Sequence, residues 1–415
     1  MKKVSVVLIV SLLCLLMFGA FAFNVSGSQS TMDWPMFRQG LTHTGYSTST
    51  VPDTNTTSWT YTTGGDVYSS PAVANDTVYV GSDDGNIYAF NATTGASLWT
   101  YETYGSVQSS PAVANGMVIV GSDDYNVYAL NMTGGSVWNY TTNGPVESSP
   151  AIANGIVYVG SFDSHIYALS ELNGNELWNY TVHGAFDSSP AIFDGVVYVG
   201  SVDHSVYALN ASSGAFIWNY PTGGPVDSSP AVANGLVFVG SGDGNVYALN
   251  SSTGALVWKY ATDYEISSSP AVAGGLVYVG SDDASVYALN ATSGDYVWSF
   301  MTGGSVDSSP AVAGGLVLVG STDDSVYALN ASNGYYLWSC TTGDEVESSP
   351  AVANGMVYVG SDDAKVYAFG PSSVSSPLSK ALTYAAIIIV IIVLVAIIAV
   401  AYLAIQGRRR RETAR

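Results

Sequence analysis

The chain is poor in cysteine, in bases and in helical periodicity. Of its 415 residues two are cysteines, Cys14 and Cys340. Cys14 falls in an apolar leader, so the mature chain keeps one thiol and no internal disulfide; packing and ladder hydrogen bonds must hold the fold. Between residues 33 and 370 there are 31 acids against three bases, Arg38, Lys259 and Lys365. That balance excludes nucleic acid as a partner, since phosphates call for a basic footprint. It favours cations, basic partners or plain solubility. No stretch of useful length between leader and tail carries a helical period.

What the chain does have is one stretch repeated eight times. Its prolines are Pro71, Pro111, Pro150, Pro190, Pro230, Pro270, Pro310 and Pro350, spaced by 40 residues with one step of 39. A fixed period of this size belongs to solenoids and propellers. Within one copy, Pro230-Ala231-Val232-Ala233 is a short apolar strand, and Asn234-Gly235 is a hairpin turn of the type that needs positive φ at both positions. Leu236–Val239, Val246–Leu249 and Leu256–Tyr260 follow as further strands, separated by turns at Gly240–Asp243 and Asn250–Gly254. Four short strands with tight turns make a small meander, which cannot bury both faces alone but can by stacking radially on two neighbours.

Closure can be counted. Tryptophans end the fourth strand of seven copies, at Trp99, Trp138, Trp178, Trp218, Trp258, Trp298 and Trp338. The eighth copy stops at Phe369, while an unattached fourth strand around Trp59 precedes the first copy. The expectation is all-β: an eight-bladed β-propeller of four-stranded antiparallel blades over residues 58–369, with the Trp59 strand completing the last blade and the eight tryptophans docking blade to blade.

The motif Gly-Ser-x-Asp-x-x-Val-Tyr-Ala-Leu-Asn-x-x-x-Gly-x-x-x-Trp, as in Gly240 to Trp258, resembles the pyrroloquinoline-quinone-type (PQQ-like) propeller repeat. Asp33–Arg38 and His43-Thr44-Gly45 resemble the segment preceding such repeats. A WD repeat fits less well, because the tryptophans are followed by Thr, Asn, Lys or Ser and never by Asp. The resemblance implies a fold shared by quinoprotein dehydrogenases, by the propeller lipoprotein of the outer-membrane β-barrel assembly machine and by many surface proteins. It implies for the dehydrogenases a vicinal disulfide over the quinone and a calcium ion beside it. This chain has no cysteine pair and no long inserted loops.

The ends carry the addressing. Residues 1–22, a basic end, an apolar run and Ala20-Phe21-Ala22, read as a secretory signal peptide. Residues 23–57 form a Ser/Thr/Asn-rich lead-in, expected to be largely irregular, with the Trp34 segment packing on the propeller. Residues 370–380 are a Ser/Pro linker. Residues 381–405 have no charge and are long enough to cross about 30 Å of hydrocarbon at about 1.5 Å per residue. Arg408–Arg411, in the 406–415 tail, mark the cytoplasmic side. The expected topology is single-pass in the cytoplasmic membrane, propeller outside, C-terminus inside.

Four sets of residues are candidate sites. Asn91, Asn131, Asn210, Asn250, Asn290 and Asn330 sit in the turn between third and fourth strands, each in Asn-x-Ser/Thr, and Asn55, Asn75, Asn139 and Asn179 add four more sequons. Asn also serves such a turn by bonding its own backbone, so turn chemistry and glycosylation are both readings. One Asp recurs in the second turn of every copy (Asp84 to Asp363); without the further ligands of a calcium loop it reads as a turn cap. Glu147, Asp187, Asp227, Asp307 and Glu347 lie just before the repeat prolines, and Asp66, Glu265 and Glu345 two residues earlier. With the first strand innermost, these form a ring of carboxylates at a channel mouth, a weak divalent-cation or partner-selecting feature whose bland alternative is solvated loop charge. His165, His183 and His204, with nearby aspartates, are a candidate metal group, against the bland reading of surface histidines.

These readings lead to a membrane-anchored, non-catalytic binding or assembly scaffold with no cofactor, whose partner is an extracellular or envelope protein or glycan. A quinoprotein dehydrogenase is the alternative, and an envelope-layer or adhesion component is a third.

Overall fold

The computed structural model describes residues 33–52 and 54–370. The signal peptide, residues 23–32 of the lead-in, most of the linker, the 381–405 span and the basic tail lie outside the described residues. Among the described residues no helix is long and apolar enough to cross a membrane.

Eight four-stranded antiparallel sheets follow one another round a ring. The lead-in contributes β1 (Tyr46–Ser47) and β2 (Thr57–Thr62), and blade one is β3 (Ala72–Ala74), β4 (Thr77–Gly81), β5 (Asn86–Asn91) and β6 (Ser97–Glu102). The first turn of each blade is left-handed at both positions, as in Asn115 (φ 49°) and Gly116 (φ 81°), so the strands keep their natural twist through it. The closing strand behaves as the count requires. β2 pairs antiparallel with Lys365–Phe369, Trp59 opposite Ala368, and completes blade eight.

The cores lie between blades. One cluster joins Tyr198 and Trp218 of blade four to Val232, Val237 and Tyr247 of blade five, and the others repeat the pattern. Each tryptophan reaches forward: the Nε1–H of Trp59, Trp99, Trp138, Trp178, Trp218, Trp258 and Trp298 donates to a carbonyl 33 residues on, at 2.8–3.1 Å. Its indole lies against a turn glycine of the next blade. At Gly95 (φ 70°) a Cβ would come within 2.6 Å of Trp59 Cδ2, so the docking surface has to be glycine. Trp338 packs on Phe369 but its Nε1 has no partner among the described residues.

Two closed rings of serine hydrogen bonds girdle the channel. Ser69 Oγ donates to Ser109 O, and the relay passes through Ser148, Ser188, Ser228, Ser268, Ser308 and Ser348 back to Ser69 O, at 3.0–3.2 Å. One residue on, each backbone N–H donates to the next blade's serine Oγ, from Ser70 to Ser110 and round to Ser349 and Ser70, at 2.8–3.0 Å. The Ser-Ser before each repeat proline is therefore a buried polar seam that bonds neighbours in series.

The lead-in is an internal part of the ring. The inner edge of every first strand faces the channel and would leave its N–H groups unpaired. The carbonyls of Trp34, Pro35, Leu41, Thr42, Thr44 and Gly45 accept from Val73, Val113, Ile192, Val232, Val272 and Val312, at 2.6–2.8 Å. Met36 and Leu41 pack on blade three, β1 pairs parallel with Ala311–Ala313, and Gly355 N–H donates to Ser49 Oγ in blade eight. In some sixteen residues the segment makes one circuit of the ring.

Candidate functional site: an acidic channel mouth

In an up-and-down blade the entry to the first strand, the turn between second and third strands and the exit of the fourth all lie at one end of the channel. The second-turn aspartates cap this end from within. Tyr Oη donates to Asp Oδ2 at 2.5–2.7 Å in all eight blades, from Tyr88–Asp84 to Tyr367–Asp363. In seven blades a backbone N–H of the preceding connection, such as Gly64 for Asp84, donates to the same Oδ2. Burial works against the charged form, but the hydrogen bonds from Tyr88, Gly64 and Asn86 outweigh it and hold Asp84 below the usual carboxylate range. Asp124, Asp243 and Asp363 behave alike. These aspartates are fastenings for the turn.

The acids before the prolines are perturbed the other way. They stand on the connections entering the first strands, which begin only after the proline. Burial, and then Asp187, Asp123 and Asp83, push Glu147 up to about 7. Burial and Asp227 push Asp187 up to about 7, and burial and Glu265 raise Asp227. Asp307, raised by burial and by Glu347 and Glu345, shares a hydrogen bond with Asp282, which is raised as well. Glu347 is raised by burial and Glu345. Asp362 is pushed to about 7 by burial and by Glu347, Asp66 and Glu345.

These like-charge neighbours form an almost continuous chain round the mouth. It includes four acids that the spacing before the prolines does not reveal: Asp83, Asp123, Asp282 and Asp362, each just before a second-turn aspartate. The signal was an Asp immediately before the second-turn aspartate, present in four of the eight repeats. Blade two, which has no acid before its proline, is joined through Gln108, whose Nε2 lies 3.2 Å from Asp83 Oδ1. The densest point is Glu345, Glu347 and Asp362, where one oxygen from each lies within 4.8 Å of the others. None of the segment's three bases is used here. Lys365 is bound to Asp363 (2.7 Å), Lys259 lies over the Tyr247 ring, and Arg38 is buried in the lead-in.

The histidines do not join the group of acids whose oxygens lie within 4.8 Å of one another among the described residues. His165 Nδ1 is 2.9 Å from Asp163 O and 3.2 Å from Asp163 Oδ1, and its ring stacks on Tyr167. His183 is exposed, and His204 holds the left-handed position of its turn (φ 69°). Of the sequons, the six turn asparagines use Oδ1 to accept from the turn backbone, as Asn91 does from Thr93 and Thr94. Asn55 Nδ2 donates to Ser339 O, Asn179 Nδ2 to Glu176 Oε1, and Asn139 Nδ2 lies 3.5 Å from Asn126 Oδ1. Asn75 sits in the first turn of blade one (φ 52°).

Ring, tryptophan docking and repeat together define an eight-bladed propeller of PQQ-like repeats. The chain belongs to that family: the family described as "Outer membrane protein assembly factor BamB" matches residues 47–184, 105–229, 163–282, 223–306 and 282–373. Among curated proteins none matches the sequence. Among solved structures, BamB from Moraxella catarrhalis is similar, with 20% identity, a TM-score of 0.66 and coverage of 76% of this chain and 99% of that one. A europium-containing methanol dehydrogenase is similar at 16% identity and a TM-score of 0.72, covering 82% and 98%. So is the computationally designed Ika8 protein, at 18% and 0.68, covering 75% and 98%. At these identities the likeness is one of fold.

Proposed function

We propose that this protein is a membrane-anchored, extracytoplasmic propeller that acts as a non-catalytic binding or assembly scaffold, offering its acidic mouth to a cationic partner. The observation that carries the reading is the ring of mutually repelling, partly buried carboxylates at one channel end, to which no Lys or Arg of the propeller is committed. Relief of that repulsion is available to a divalent cation, held weakly, or to Lys and Arg side chains of an envelope protein. Membership of a family described by an assembly factor accords with this. The uncharged 381–405 run and the arginines after it support the anchor, and the ten sequons support a glycosylated exterior.

The dehydrogenase reading has less support. A quinone of this type carries several carboxylates, which the mouth would repel, and the lead-in backbone already takes the inner strand edges elsewhere in the channel. The sequence offers no cysteine pair to cover such a group. The test is calorimetric titration of the full-length protein with a Lys-rich peptide and with a Glu-rich control. The basic peptide should bind in a salt-dependent manner, and at least tenfold more weakly when Glu147, Asp187, Asp227, Asp307 and Glu347 become Gln or Asn. Equal binding to wild type and variant, or quinone-dependent alcohol oxidation by the purified chain, would contradict the reading.

A further inference from the structure

Arg38 is 1% exposed and heads the largest fully buried side chains. None of Nε, Nη1 and Nη2 has a hydrogen-bond partner among the described residues. Among the described residues the ion pairs are His165–Asp163 and Lys365–Asp363, and none reaches Arg38, whose pKa burial lowers to about 9. The guanidinium is thus a lone positive charge inside the ring, an arrangement proteins avoid unless something pairs with it.

The local chain is shaped to place it there. Arg38, Gln39 and His43 all adopt left-handed backbone, with φ of 57°, 76° and 52°. Gly45 N–H closes the loop on Arg38 O at 3.2 Å, and His43 N–H on Gly40 O at 2.9 Å. A side chain at Gly45 would collide with Arg38 Nη2, and the same spot is 3.0 Å from Pro310 O, next to the second serine ring. His43, 2% exposed, is set edge-on to Phe37 and hydrogen-bonded to the Pro230 carbonyl. Burial, with Arg38 adding to it, pushes its pKa down to about 3, so the ring is neutral and its Nδ1 has no partner. Three strained residues in six, around one uncompensated charge, are the kind of cost that marks a site.

We propose that Arg38 binds one small monovalent anion inside the channel, between the lead-in and the serine rings. A single charge beside a neutral histidine calls for one negative charge, and the planar fork suits a two-oxygen face such as formate or nitrate, with a halide as the simplest substitute. The acidic mouth disfavours a large, multiply charged anion as the occupant. This inference does not depend on what the mouth binds.

The test uses the full-length protein in detergent. Crystals grown in bromide should give an anomalous peak at the Arg38 guanidinium. At matched ionic strength, bromide, nitrate or formate should raise the melting temperature by several degrees over gluconate, which is too large to enter, because an anion that binds only the folded state stabilises it. Arg38→Met should lose that difference. Stronger stabilisation by formate and nitrate than by bromide would mark a preference for planar oxyanions, and equal stabilisation by all three a generic anion pocket; both support the proposal. Bromide found only on the surface, or the same anion dependence in Arg38→Met, would overturn it. If the variant does not fold, the anomalous peak in the wild type decides alone.

Discussion

At the residue scale the propeller carries two populations of carboxylate with opposite perturbations. The turn aspartates Asp84, Asp124, Asp243 and Asp363 are held below their ordinary range, so they stabilise the fold above a pH of about 3.9 and lose that contribution as pH falls further. The mouth acids Glu147, Asp187 and Asp362 are pushed up to about 7. Between about pH 4 and 7 the folded state therefore holds more protons than the unfolded one, and stability falls as pH rises through that window. Scanning calorimetry should find a higher melting temperature at pH 5 than at pH 8, and a flatter profile when the five acids before the prolines are neutralised. A wild-type profile that is level or rising from pH 5 to 8 contradicts the mouth electrostatics. This scale was only partly legible in the sequence. The acids before the prolines were visible as a repeated position, but Asp83, Asp123, Asp282 and Asp362 stand on a different connection, the second turn, and become their neighbours only once the blades close into a ring. Arg38 belongs to the Trp34 segment, which is expected to pack on the propeller, but nothing in its neighbours signals the first-strand edges waiting for a backbone partner, six of which the lead-in takes.

At the element scale the ring is fastened by one strand taken from the far end of the chain. The Asn-Gly turns, the tryptophan count and the stray Trp59 strand are local signals with a single geometric solution, which is why closure could be read from spacing alone. Trp59 joins blade eight to blade one through its bond to Ala92 O, its contact with Gly95, and its packing on Phe90 and Tyr358. Trp59→Ala should cost about 3–5 kcal/mol by the loss of a buried indole and the cavity left behind. Because β2 has no covalent neighbour in its blade, the opened seam should also expose a free strand edge and promote association. Chemical denaturation of the full-length variant beside Trp218→Ala separates the effects: both lose stability, and only the Trp59 variant should gain concentration-dependent light scattering. Identical behaviour of the two would remove any special role for the closing strand. The serine rings belong to this scale too. They were present in every repeat as Ser-Ser-Pro, yet a serine pair before a proline resembles ordinary turn chemistry until the blades are set side by side.

At the scale of the whole molecule the propeller is a closed ring with unlike ends, one threaded by its own lead-in and one lined by carboxylates. The near-identity of the repeats makes the fold easy to read and the partner hard to read, because ring symmetry gives each acid the same bland local context. The collective property, a concentration of negative charge, belongs to no single repeat. Its most direct test is thermal melting of the full-length protein with and without millimolar calcium at matched ionic strength, beside the variant carrying Glu147→Gln, Asp187→Asn, Asp227→Asn, Asp307→Asn and Glu347→Gln. Matching ionic strength removes general screening, so a rise in melting temperature reports binding to the folded state. The account predicts that calcium raises the melting temperature of the wild type clearly more than that of the variant; an equal gain, or none in either protein, would show that the carboxylates are a solvated edge and contradict the claim that the mouth is a cation-binding site.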